Sequence, residues 1–247
     1  MQAQNQIVLR TPVEISPELN ANQLKLIAVI AMVFDHWAVT FLPGGSSGWL
    51  LAGAVGRLTA PIMCFFIAEG YHHTRSRRRY ALRLLLGAAV SHVPHALCFG
   101  FSPWEFWRAT SVMWSLFLGL LALMAWENRA LALPARLGAV GLCCLMSYPG
   151  NWNCIAVLWV VCFGALRNAG WKKWLAFLAV TGLYMAEFFV IESNDPLWLR
   201  LAVLPAAPLL MLYSGKRGSR RPAYQWGYYL IYPLHFLALY LLRCCAA

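Results

Sequence analysis

Lys25, Asp35 and His36 stand inside an almost unbroken apolar run, Gln23–Phe41 (QLKLIAVIAMVFDHWAVTF). Ionisable side chains at bilayer depth are expensive, so each marks a candidate functional site. Lys25 and His36 are eleven residues apart, about three helical turns, which puts them on nearly one face with roughly 16 Å between them along the axis. An imidazole at a polar cavity can serve as a general base, given reach and a suitable pKa. Asp35 faces another way, because adjacent residues do not share a helix face. It needs a partner on a second helix, and Arg57, which cannot shed its charge, is the natural one. Such a pair is as consistent with scaffolding as with catalysis. The plainer reading of the same helix is a snorkelling Lys25 and a hydrogen-bonded structural His36.

Later apolar runs carry Glu69, His92, His95, Glu187 and His235. His92 and His95 flank Pro94 at i, i+3 spacing, which places them on one face. No carboxylate or cysteine spacing accompanies them, so a polar cavity lining is expected and no metal site. Glu69-Gly70-Tyr71-His72-His73 leads into Arg75, Arg77, Arg78 and Arg79, followed by Arg83. The guanidinium fork matches phosphate oxygens, although topological charge and lipid headgroup contact explain a basic loop equally well.

The elements that must position these residues are membrane helices. The 247 residues are 61% hydrophobic and only 12% charged, against about 25% charged in soluble domains. The net charge of +11 does not imply nucleic acid, because the basic residues fall in short loops between apolar runs, as the positive-inside rule requires. The eight cysteines show no zinc-type spacing and read as small core residues. Residues 1–22 form a polar tail unlike a signal peptide, with a helix start expected at Ser16-Pro17-Glu18. Residues 23–247 form the membrane domain. Apolar runs near 23–42, 49–70, 80–100, 110–126, 136–149, 152–167, 172–191, 197–213 and 224–243 predict a polytopic all-α bundle of about nine transmembrane helices. Several runs are short for the roughly 20 residues a crossing needs, those at 136–167 above all. Every second loop is basic, which predicts a cytoplasmic N-terminus and an external C-terminus.

Taken together these residues resemble the TraX family of conjugal-transfer proteins, part of a wider superfamily of integral membrane acyltransferases. The resemblance rests on four blocks: SPELNANQLKLIAVIAMVFDHW, with Lys25 and the Asp35-His36 pair; GRLTAPIMCFFIAEGY, with Arg57, Pro61 and Gly70; RSRRRYALRLL; and WGYYLIYPLHFLAL, ending in His235. The superfamily usually carries arginine eleven residues before the first-helix histidine. Lys25 keeps the charge there but loses a bidentate phosphate contact.

The resemblance implies an enzyme of the bacterial inner membrane that acetylates the N-terminal amine of a pilin-like membrane protein, using acetyl-CoA from the cytoplasmic side. Lys25, Arg75, Arg77, Arg78, Arg79 and Arg83 would hold the donor, His36 would be the base, Arg57 would stabilise the oxyanion, and Asp35 would position Arg57 or another polar group. Membrane lipids and the acceptor protein are the expected partners, with no nucleic acid and no metal. An O-acetyltransferase for a surface glycan or lipid is a second expectation. A transporter component in which His36, His92, His95 and His235 relay protons is a third, and a structural subunit of a secretion machine is a fourth.

Overall fold

The computed structural model describes residues 18–190, 195–219 and 221–246. All of the regular structure among them is helical: α1 (Ala21–Phe41), α2 (Ser47–Gly56), α3 (Thr59–His73), α4 (Arg77–Phe99), α5 (Val112–Glu127), α6 (Leu133–Met146), α7 (Asn153–Ala165), α8 (Lys172–Glu187), α9 (Leu197–Arg200), α10 (Ala206–Met211) and α11 (Pro222–Ala246). Outside them, among the described residues, stand a 3-10 turn, Leu201–Val203, and two isolated bridges, Leu19 with Tyr213 and Thr110 with Gly150. Each expected apolar run carries helix. Among the described residues four stretches are long and apolar enough to cross a bilayer: α1, α2 with α3 as one kinked span, α4, and 227–245 of α11. The helices between them are shorter, 16 residues in α5, 14 in α6 and 13 in α7. The chain is thus a helical membrane protein, and four of its described stretches have the length a full crossing needs.

α1 begins later than the sequence suggests. Ser16 and Pro17 lie outside the described residues, and Glu18 precedes the helix. Leu19 is held extended against the chain after α10, donating to Leu212 O at 2.8 Å and accepting from Ser214 N at 2.9 Å. The cap is Asn20, whose side chain accepts from the Asn22 and Gln23 amides while the Gln23 side chain accepts from Asn20 N. That reciprocal box satisfies amides a helix would otherwise leave orphaned.

The second span is interrupted at Arg57-Leu58, between α2 and α3. Pro61 has no N–H to return to the carbonyl four residues earlier, which is that of Arg57. The break therefore falls where a charged side chain must turn inward. Lipid offers no hydrophobic drive for helix association, so close approach depends on small residues. A Cβ on Gly56 would lie 2.4 Å from Asp35 Cβ, and one on Gly119 would lie 3.0 Å from Val160. These glycines set the α1–α2 and α5–α7 contacts. Thr59 Oγ1 adds a bond to Ala28 O at 2.9 Å, joining α3 to α1. α11 packs along α4 and α1, and its Arg243 donates to the Cys98 carbonyl at 2.9 Å, a cation at the helix C-terminus where the macrodipole favours one. α6 has no buried residue and lies on the outside of the bundle against α5 and α7.

Candidate functional site

The break at Arg57 opens onto a cavity of about 60 Å³ whose lining includes Asp35, His36, Gly56, Arg57, Trp152 and Tyr232. Three catalytic candidates from the sequence therefore meet at one place. The space holds about two waters at roughly 30 Å³ each, enough for reacting groups but not for whole substrates.

His36 is buried, and its Nδ1 lies 2.8 Å from His235 Nε2. His235 Nδ1 in turn lies 3.0 Å from the Ile231 carbonyl. That carbonyl can only accept, so His235 Nδ1 carries a hydrogen, and in the neutral ring Nε2 is then an acceptor. It follows that His36 donates through Nδ1 and keeps its lone pair on Nε2. The two rings lie within 8° of parallel, and Phe236 packs on both, with centroids 4.7 Å from His36 and 4.0 Å from His235. A hydrogen bond on one nitrogen that fixes the tautomer of a catalytic imidazole is the device of hydrolase triads, where a carboxylate is the acceptor. Here a second imidazole takes that place.

Arg57 does not pair with Asp35 as the sequence suggests. Its Nη2 donates to Asp195 at 2.5 Å, and its guanidinium lies over the Trp152 ring, 5.5 Å from the centroid. Asp195 arrives from a loop 138 residues away, a distance no local pattern reveals. The Arg57 Nε is buried without a hydrogen-bond partner. Asp35 lies against the Gly53–Gly56 face of α2, close enough to Arg57 and Asp195 for their charges to act on it. Among the described residues, no donor makes a hydrogen bond or ion pair to its carboxylate.

Trp152 and Asn153, at the start of α7, have φ of 66° and 27°. Non-glycine residues seldom adopt such angles, and those that do cluster at functional sites. Asn153 Nδ2 donates to Glu187 at 2.5 Å, and Arg200, also buried, reaches Tyr184 O at 2.5 Å and Glu187 at 3.4 Å. Glu187 thus joins Asn153 to the buried Arg200, outside the cavity lining. Neither Asp195 nor the Trp152 turn is anticipated by the sequence reading.

His92 and His95 part company. His92 accepts from or donates to Thr110 Oγ1 at 3.1 Å and meets the Pro103 carbonyl at 2.8 Å, so it fastens the 100–111 loop to α4. His95 is buried beside Phe99 and Phe236, behind the histidine pair. Its Nδ1 has no partner.

Glu69 lies at the opposite end of the bundle, twelve residues or roughly 18 Å of helix from Arg57. It pairs with Arg167 Nε at 2.7 Å and Nη2 at 3.3 Å, and with His73 at 3.3 Å. At that end Lys25 Nζ lies 5.0 Å from the Phe66 ring centroid and 5.8 Å from that of Tyr228. Arg75, Arg77, Arg78 and Arg79 are exposed. Arg77 stacks over Tyr71 and Arg83 over Tyr80. None of these cations lines the cavity.

The model of the family described as TraX protein matches residues 20–243. The chain is 31% identical over 234 residues to "Probable fimbrial assembly protein FimC, serogroup H1" of Dichelobacter nodosus, covering 90% of this chain and 95% of that protein. No solved structure is similar to it. The matched stretch takes in every residue of the cavity and the histidine pair behind it, and the chain belongs to the TraX family.

Proposed function

We propose that this chain is an acetyltransferase of the bacterial inner membrane that moves an acetyl group from acetyl-CoA to the N-terminal amine of a pilin-like protein. The observation that carries this reading is the hydrogen-bonded His36–His235 pair at a cavity that His36 shares with Arg57, whose Nε has no partner. Membership of the TraX family supports it, as does a relative named for fimbrial assembly.

The steps follow from the groups present. An acceptor ammonium first loses one proton, and the free amine attacks the thioester carbon. As the C–N bond forms, the carbonyl oxygen gains charge that Arg57 Nε–H is free to stabilise. Removing one such donor from an enzyme costs about 100- to 1,000-fold in kcat. His36 Nε2 takes the second proton from nitrogen and returns it to the departing thiolate as the C–S bond breaks. One proton is released for each acetyl group transferred. General base catalysis of this kind contributes about 100- to 10,000-fold.

The donor's phosphates would lie at the far end of α1, near Lys25 and the arginines that open α4. Arg77, Arg78 and Arg79 stand in the first turn of that helix, where the macrodipole disfavours cations and a bound anion would offset the strain. The rise of roughly 16 Å from Lys25 to His36 matches an extended pantetheine arm.

Mass spectrometry of pilins from cells with and without this protein tests the assignment. An acetyl group on the pilin N-terminus only when the protein is present is expected. An unmodified N-terminus in both would overturn it.

A further inference from the structure

The carboxylate of Asp35 has no task in those steps, yet it borders the cavity where they occur. Its expected partner, Arg57, is taken by Asp195. Gly56 presses against its Cβ and Cγ, so the side chain is held at the cavity wall. Among the described residues the Asp35 carboxylate, which lines the cavity, is thus left without a hydrogen bond or ion pair of its own. A carboxylate withdrawn from water without a counter-charge is unfavourable, and a cationic ligand relieves it.

We propose that Asp35 forms a primary-ammonium subsite. It binds the acceptor as its ammonium, beside His36, and so selects amine over hydroxyl acceptors. This rests on the proposed transfer reaction for its purpose, but not for its test. The ammonium donates to the Asp35 carboxylate; its first proton passes to His36 Nε2 and leaves the site before attack. The second follows the same path and ends on the thiolate. A hydroxyl acceptor brings no positive charge and leaves Asp35 uncompensated. Arg57 cannot replace the ammonium without leaving Asp195.

The test is a binding measurement without acetyl-CoA. Alanyl-leucinamide and its lactyl counterpart, in which a hydroxyl replaces the ammonium, are titrated calorimetrically into the purified protein in lipid nanodiscs at pH 6.5. The native protein should bind the ammonium peptide about 10- to 100-fold tighter, the worth of a charge-assisted bond. The preference should disappear above about pH 9, where the α-amine is neutral. D35N should bind the two peptides alike, with the ammonium form weakened and the lactyl form unchanged. Should D35N not fold, D195N provides the second arm: it frees Arg57 to neutralise Asp35 and should reduce the preference with Asp35 intact. Equal affinity of the native protein for both peptides, no binding of either, or a preference untouched in D35N or D195N would overturn the assignment. A preference that vanishes in D35N from a protein that transfers no acetyl group would uphold the subsite and sink the transferase reading. Acetyl transfer without any ammonium preference would do the reverse.

Discussion

The two ends of the bundle treat charge in opposite ways. Where α1 begins, Glu69 is saturated, gripped by two nitrogens of Arg167 and met by His73. Where α1 ends, Arg57 keeps an unpartnered Nε and Asp35 has no donor among the described residues, although both border one cavity. A complete pair within a membrane protein removes the penalty of its own charges and holds helices together. An incomplete one retains that penalty until something else arrives. Glu69–Arg167 is therefore a complete joint between α3 and the end of α7, although it too lines a cavity, of about 240 Å³, and the Asp35–Arg57 region is a site that awaits its ligands. Buried charge in a membrane helix says that a partner exists; whether the protein supplies that partner distinguishes structure from function.

Substitutions at the two ends should separate cleanly. The largest effect is expected at His235, whose loss frees the tautomer of His36. H235F should lower kcat for acetyl transfer by about 100- to 10,000-fold, the contribution of a general base, with the acceptor KM little changed. H235Q, whose amide oxygen can accept from His36 Nδ1, should recover part of the rate. A merely space-filling His235 would give the same kcat in both variants.

Next comes Arg57. R57Q should cost about 100- to 1,000-fold in kcat if its Nε faces the developing oxyanion. An unchanged kcat with lowered thermal stability would move Arg57 to the scaffold class.

Lys25 belongs to neither class in full. It has an aromatic cradle and no carboxylate among the described residues, and its proposed contact is with donor charge that does not change during reaction. Loss of such uniform binding raises KM and leaves kcat alone. K25A should raise the acetyl-CoA KM about tenfold, in line with one charge-assisted bond. A fall in kcat instead would place the ammonium nearer the chemistry than its position on α1 suggests.

The smallest effect on catalysis is expected at Glu69. E69Q should destabilise the protein by about 1–2 kcal/mol, since Arg167 is only partly buried and breaking a fully buried pair costs about 3–5 kcal/mol. Thermal unfolding in nanodiscs reads this directly, and kcat should stay within about twofold of native. A catalytic defect would dissolve the distinction between the ends.

Much of this could be read from the sequence, for physical reasons that differ by residue. The apolar runs gave helices because hydropathy and length are local properties. His36 was legible because an imidazole in an apolar helix is conspicuous, and His235 for the same reason in the last apolar run. The partner of Arg57 was not legible: Asp35 and Asp195 are equally acidic, and only the fold decides which one the guanidinium reaches. The pairing of His92 with His95 failed on a finer point. Three residues turn a helix by 300°, so the two rings diverge by about 60°, enough to send one to a loop and the other to α11. The cap of α1 was misplaced because Ser16-Pro17-Glu18 is a good start signal in isolation, whereas Leu19 is held extended by residues almost two hundred positions later.

His36 is the proposed base at the incomplete end. Purified native protein and H36Q, matched for thermal stability in nanodiscs, should be assayed for transfer of radiolabelled acetyl from acetyl-CoA to a pilin N-terminal peptide at saturating acceptor. The native protein should label the peptide, and H36Q should do so with a kcat about 100- to 10,000-fold lower and a donor KM near native. A native-like kcat in H36Q would contradict that assignment.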